Sequence, residues 1–135
     1  MIDHLGISAH DFDVSRRFYD AALTPLGLAM LMEVTPEESG DYHGLGYGKD
    51  GKPYFWLSND VRGLATGGPR GAGVHIAFAA ENRAAVDAFY AAAIAHGGVD
   101  NGPPGIRRHY HPNYYAAFVL DPDGFNVEAV CHAPE

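Results

Sequence analysis

The chain repeats itself, and that repeat limits its fold more than any single motif does. Moving the sequence 71 positions along, so that His4 falls on His75, lays HLGISAHDFDVSRRFYDAALTPLG over HIAFAAENRAAVDAFYAAAIAHGG without a gap. Leu5 then meets Ile76, Ile7 meets Phe78, Phe18-Tyr19 meets Phe89-Tyr90, and Gly27 meets Gly98. Identities are few, but apolar, small and polar positions agree through a strand, a turn and a helix. A second match, at an offset of 73, sets DPDGFNVEAV (121–130) over GKDGKPYFWL (48–57), each Asp-Gly turn launching a strand. On this alignment Phe55 takes the place of Glu128.

Each half reads as βαβββ. In the first, alternation over 2–8 predicts a strand with Leu5 and Ile7 on one side and His4, Gly6 and Ser8 on the other. Asp13 can cap a helix running to Leu23, stopped by Pro25 and Gly27. Strands follow over 27–34, 42–48 and 53–58. In the second half, a strand at 73–79 leads to a helix near 83–96 that ends at Gly97-Gly98. A Gly/Pro-rich segment, NGPPGIRR (101–108), comes next, and strands over 114–120 and 125–131 close the half. The expected fold is α+β: two tandem βαβββ modules, about 1–62 and 73–135, forming one domain. A linker-like stretch, about 63–72, joins them.

At 135 residues, 47% hydrophobic and 19% charged, the chain has the composition of one ordinary globular domain. A net charge of −8 gives no electrostatic case for nucleic acid or an anionic membrane. The absence of a span-length apolar run and of a signal-like start predicts a cytoplasmic protein. The single cysteine, Cys131, excludes an intrachain disulfide.

The chemistry is carried by three strand positions. His4 and His75 open the two modules at equivalent places, on the faces opposite the apolar ones. In FNVEAVC, Glu128 sits mid-strand, where a carboxylate is costly unless paired or bound to a metal. Singly, each has a plain explanation: a hydrogen-bonded histidine, a solvated glutamate. The repeat relates the two histidines, and two imidazoles with one carboxylate make a three-ligand metal face that leaves positions open.

DHLGIS with the helix that ends RRFYDAAL, then GVHIAF, then LDPDGFNVEAV, together resemble the vicinal oxygen chelate superfamily. That group includes glyoxalase I, extradiol dioxygenases and bleomycin-resistance proteins. The resemblance implies curled mixed sheets forming an open barrel around a metal cavity, with helices outside. It places His4, His75 and Glu128 at ligand positions and leads to the expectation of a homodimer. PYFWLS offers no fourth ligand, unlike glyoxalase I, so the pattern is that of the two-histidine, one-carboxylate branches. The implied cofactor is a divalent ion (Fe²⁺, Zn²⁺, Ni²⁺, Mn²⁺ or Co²⁺), and the implied partner is a small-molecule substrate. The activity expected is that of a glyoxalase-like lyase, isomerase or dioxygenase. The alternative is a non-catalytic ligand-sequestering protein of the bleomycin-resistance type.

RRHYHPNYY (107–115) supplies groups that could act on such a substrate. His111, Tyr114 and Tyr115 are the candidates for proton transfer. Arg107, His109, Phe55 and Trp56 are expected to line the pocket. His96 reads as a helix C-terminal residue. His10, His43 and His132 carry no spacing argument.

Overall fold

The computed structural model describes residues 1–61 and 73–135; the expected linker (about 63–72) lies outside the described residues. In the first half, β1 (Leu5–Ala9), α1 (Phe12–Leu23), β2 (Ala29–Val34), the short α2 (Pro36–Ser39), β3 (Gly44–Lys49) and β4 (Lys52–Asn59) follow in order. The second half contributes β5 (His75–Ala79), α3 (Arg83–Ala95), β6 (Val99–Ile106), β7 (Tyr115–Leu120) and β8 (Asn126–Cys131). Each half builds its own four-stranded mixed sheet, ordered β1-β4-β3-β2 and β5-β8-β7-β6. In each, the first strand pairs in parallel with the last, and the remaining pairings are antiparallel. Among the described residues, no helix is long and apolar enough to cross a membrane.

Local chemistry accounts for the elements. Helix α1 is capped by Asp11, whose carboxylate accepts the Val14 amide at 3.1 Å, two residues earlier than the sequence suggests. Asn82 caps α3 in the same way through the Ala85 amide. The β3–β4 turn needs left-handed backbone at both central residues, Asp50 (φ 54°) and Gly51 (φ 76°), as a tight hairpin does. The Gly/Pro-rich segment, to which the sequence alone assigns no element, lies largely in edge strand β6. Register shifts between Asp100 and Gly102 and again before Gly105 absorb Pro103 and Pro104. Prolines survive in a sheet at such an edge because an outward amide is not needed for the ladder.

One face of each sheet is covered by its helix, and the two covered faces share a single core. Phe18, Tyr19 and Leu23 of α1 are wholly buried, as are Val86, Phe89 and Ala93 of α3. Phe55 of β4 meets Phe78 of β5 edge-on at 5.5 Å between centroids. The Tyr19 hydroxyl donates to Asp121 at 2.5 Å, tying α1 to the β7–β8 turn. Asp121 in turn accepts the Asp123 and Phe125 amides, both at 2.9 Å. Burial raises the Asp121 carboxyl above its ordinary range, and these donors oppose the shift.

Candidate metal centre

On the open face of the second sheet, β5 and β8 run side by side with Ala77 opposite Glu128. His75, two residues before Ala77, projects from the same face. Its Nε2 lies 2.7 Å from Glu128 Oε2. The Glu128 side chain is only 1% exposed, whereas that of His75 is 50% exposed. No lysine or arginine balances the buried carboxylate among the described residues. Its other oxygen, Oε1, accepts the Tyr114 hydroxyl at 2.5 Å. Burial, then the bond to Glu128, push the Tyr114 hydroxyl up to about 12, so at neutral pH it keeps its proton and stays a donor.

Imidazole nitrogen and carboxylate oxygen are ligands that Zn²⁺, Fe²⁺, Co²⁺, Ni²⁺ and Mn²⁺ accept. Two ligands about 2.1 Å from one ion at a right angle stand about 3 Å apart, so the 2.7 Å pair needs only a slight opening to admit a metal in place of the shared proton. His75 and Glu128 therefore fit as two ligands.

His4 lies on the open face of the other sheet. Its side chain is 58% exposed, and its Nδ1 is 2.7 Å from the Asp3 carboxylate, which also accepts Lys52 Nζ at 2.6 Å. The bond to His4, then those of Lys52, hold the Asp3 carboxyl below its ordinary value. A carboxylate on Nδ1 fixes the tautomer that leaves Nε2 free for a ligand. Asp3, which sequence reasoning did not single out, thus orients the His4 ring, and the Asp-His dipeptide was its signal. Among the described residues, no three histidine, cysteine, aspartate or glutamate side chains converge as a metal-holding group. One chain presents the His75–Glu128 pair on one sheet and His4 on the other.

The other candidates divide by strand parity. Trp56, with His4, Gly6, Val34 and Tyr42, lines a groove of ≈ 360 Å³. Phe55 instead turns to the helix side, 2% exposed, against Tyr19 at 4.9 Å. The counterpart of Glu128 is correspondingly Trp56, because Trp56 faces Gly6 as Glu128 faces Ala77. The cause is a bulge. Gly48 pairs with Pro53 but Tyr47 pairs with Phe55, leaving Tyr54 as an extra residue that moves the repeat from an offset of 73 at the turn to 72 beyond it. Neither aromatic is a metal ligand, so β4 adds none on its open face.

Tyr114 faces the His75–Glu128 pair, but Tyr115 points the opposite way. Its hydroxyl donates to Asp87 of α3 at 2.7 Å, beneath Arg83. Residues 107–114 form a turn, closed by the Arg107 amide donating to the Tyr114 carbonyl at 2.7 Å. The His109 ring lies tilted against Tyr110, with centroids 4.1 Å apart. His111 packs 6.1 Å from His132, whose ring stands 5.1 Å from Tyr114. His132, unassigned from sequence, thus belongs to the rim of this site. Arg107 and His109 line a groove of ≈ 240 Å³ with Asn101, Gly102, Tyr110 and Phe118.

Residues 1–129 match the family described as the Glyoxalase/Bleomycin resistance protein/Dioxygenase superfamily. The chain belongs to this superfamily. Its fold is similar to that of a glyoxalase/bleomycin resistance protein from Albidiferax ferrireducens T118, with a TM-score of 0.75, 31% identity and 98% of each chain covered. A glyoxalase/bleomycin resistance protein/dioxygenase family enzyme from Burkholderia phytofirmans PsJN gives 0.66, with 21% identity and 98% of each chain covered. The trypanothione-dependent glyoxalase I of Leishmania major shares the fold at a TM-score of 0.63 and 23% identity, over 98% of this superfamily member and 86% of that chain. No curated protein matches the sequence.

Proposed function

We propose that this superfamily member is a glyoxalase-like, metal-dependent enzyme acting on a small molecule, and that it works as a homodimer. His75 and Glu128 of one copy and His4 of a second copy would hold the ion. The observation that carries this reading is Glu128, a carboxylate 1% exposed whose side-chain partners are an imidazole and a phenol rather than a cation. Leaving such a group uncompensated is costly, and a divalent ion supplies the compensation. The separate placement of His4 on an exposed face supports assembly of the site by a second copy.

A divalent ion bound there would polarise two adjacent substrate oxygens and, if it were iron, could serve dioxygen chemistry. The chain's own part is positional. Tyr114 occupies Glu128 Oε1 and leaves Oε2 toward His75, so the carboxylate presents one oxygen to the site. His111 and His132, which pack beside Tyr114 at the rim, would pass protons to solvent. Metal analysis of protein purified without a histidine tag tests the reading. The expected content is about one ion per chain after incubation with Fe²⁺, Mn²⁺, Co²⁺, Ni²⁺ or Zn²⁺. Uptake of none of them would refute it and favour ligand sequestration.

A further inference from the structure

Four lysine or arginine side chains are partly buried among the described residues: Arg16, Lys52, Arg83 and Arg107. Three have carboxylates. Arg16 approaches Asp20 and Glu33, Lys52 holds Asp3, and Arg83 reaches Glu135. Arg107 has none, in a chain with 17 acidic residues against 9 basic ones. Its one side-chain hydrogen bond runs from Nη2 to the Pro103 carbonyl at 2.6 Å, leaving Nη1 and Nε unpaired among the described residues.

The backbone of β6 is shaped around this guanidinium. Gly102 sits at φ +146°, and a Cβ there would meet Phe118 at 3.1 Å and Arg107 Nη2 at 3.3 Å. A Cβ at Gly105 would meet Nη1 at 3.0 Å. The guanidinium lies 5.5 Å from the centre of the Phe118 ring, which keeps its plane fixed. His75 faces that same ring at 6.1 Å. The guanidinium, which has no carboxylate partner among the described residues, and the imidazole of the His75–Glu128 pair therefore border the same Phe118 ring. His109 and Tyr110 border the same groove.

We infer that Arg107 determines substrate class: the molecule that chelates a metal at His75–Glu128 carries a carboxylate at its other end, which the guanidinium takes as a two-pronged ligand. This inference rests on the proposed metal site for the first end of the molecule and on Arg107 alone for the second. A planar fork matches a carboxylate in two parallel hydrogen bonds, and its fixed orientation lowers the ordering cost. The recognised class is small dicarboxylic hydroxy or keto acids, in preference to equivalents with an uncharged tail.

The probes are malate and 2-hydroxybutyrate, which share a chelating hydroxy-acid end and differ in the far carboxylate. In ¹⁵N-labelled wild type without metal, malate at millimolar concentration should shift the Arg107 Nε–H NMR signal saturably, while propane-1,2-diol, which carries no carboxylate, should leave it in place. That signal is assigned by its loss in Arg107→Met. On metal-loaded protein, titration calorimetry should find malate at least tenfold tighter than 2-hydroxybutyrate. Arg107→Met should erase that difference without weakening 2-hydroxybutyrate, and Arg107→Lys should restore only part of it. An unmoved Nε–H signal, or equal wild-type affinities for the two acids, would overturn the inference. Failure of the metal site would show separately, as protein that takes up no ion while its Arg107 signal still answers to malate.

Discussion

Glu128→Ala should abolish useful metal affinity while leaving the fold intact. A structural zinc site gains about 10–16 kcal/mol from four ligands, so one ligand accounts for about 3 kcal/mol, or about 10²-fold in affinity. Glu128 should reach at least that value, because its removal also leaves His75 and the Tyr114 hydroxyl without their shared partner. Tyr114→Phe tests the support separately. The ligand stays but its orientation loosens, and losses of about 10- to 100-fold are typical for such partners. Competition titration against a chromophoric chelator measures both variants. Wild-type affinity in Glu128→Ala would remove Glu128 from the ligand set. An unchanged Tyr114→Phe would mean that the hydroxyl merely fills space.

Phe55→Ala should cost about 3–5 kcal/mol of stability, the usual range for emptying a buried phenylalanine site. Its ring touches Tyr19, Tyr47 and, from the other sheet, Phe78. The void would open where the two sheets share their core. Trp56→Ala should cost less, although the side chain is larger, because its ring is partly exposed on the open face beside His4. Urea unfolding of the two variants gives the comparison directly. A larger loss from Trp56→Ala would contradict the assigned faces and restore Phe55 to the groove.

These two residues show where the sequence could be read and where it could not. Alternation fixed the faces of β1, β5 and β8 correctly, so His4 and Glu128 were visible as polar groups set against apolar partners. In β4 the same reasoning slipped by one residue. The extra Tyr54 lies in a bulge, and an insertion of one residue reverses every face beyond it. Tyr114 and Tyr115 carry the same lesson: adjacent strand residues cannot both reach one site, and the pairing of Tyr115 with Asp87 decides which does not. Strand β6 was not legible because Gly and Pro are depleted in strands, and only its place at a sheet edge makes its two bulges tolerable. How the modules dock is not written in periodicity at all. The repeat related His4 to His75 but held no information on whether one chain brings them together.

That question is tested most directly by complementation. His4→Ala and Glu128→Ala chains are each expected to bind no metal tightly when purified alone. Co-expressed with different tags and isolated as a mixture, they should regain roughly a quarter of the wild-type metal content, since random pairing makes half the dimers mixed and each mixed dimer has one intact site of two. Mixed dimers selected through both tags should reach about half. A mixture that binds no more metal than either parent would place all the ligands within one chain and contradict the shared site.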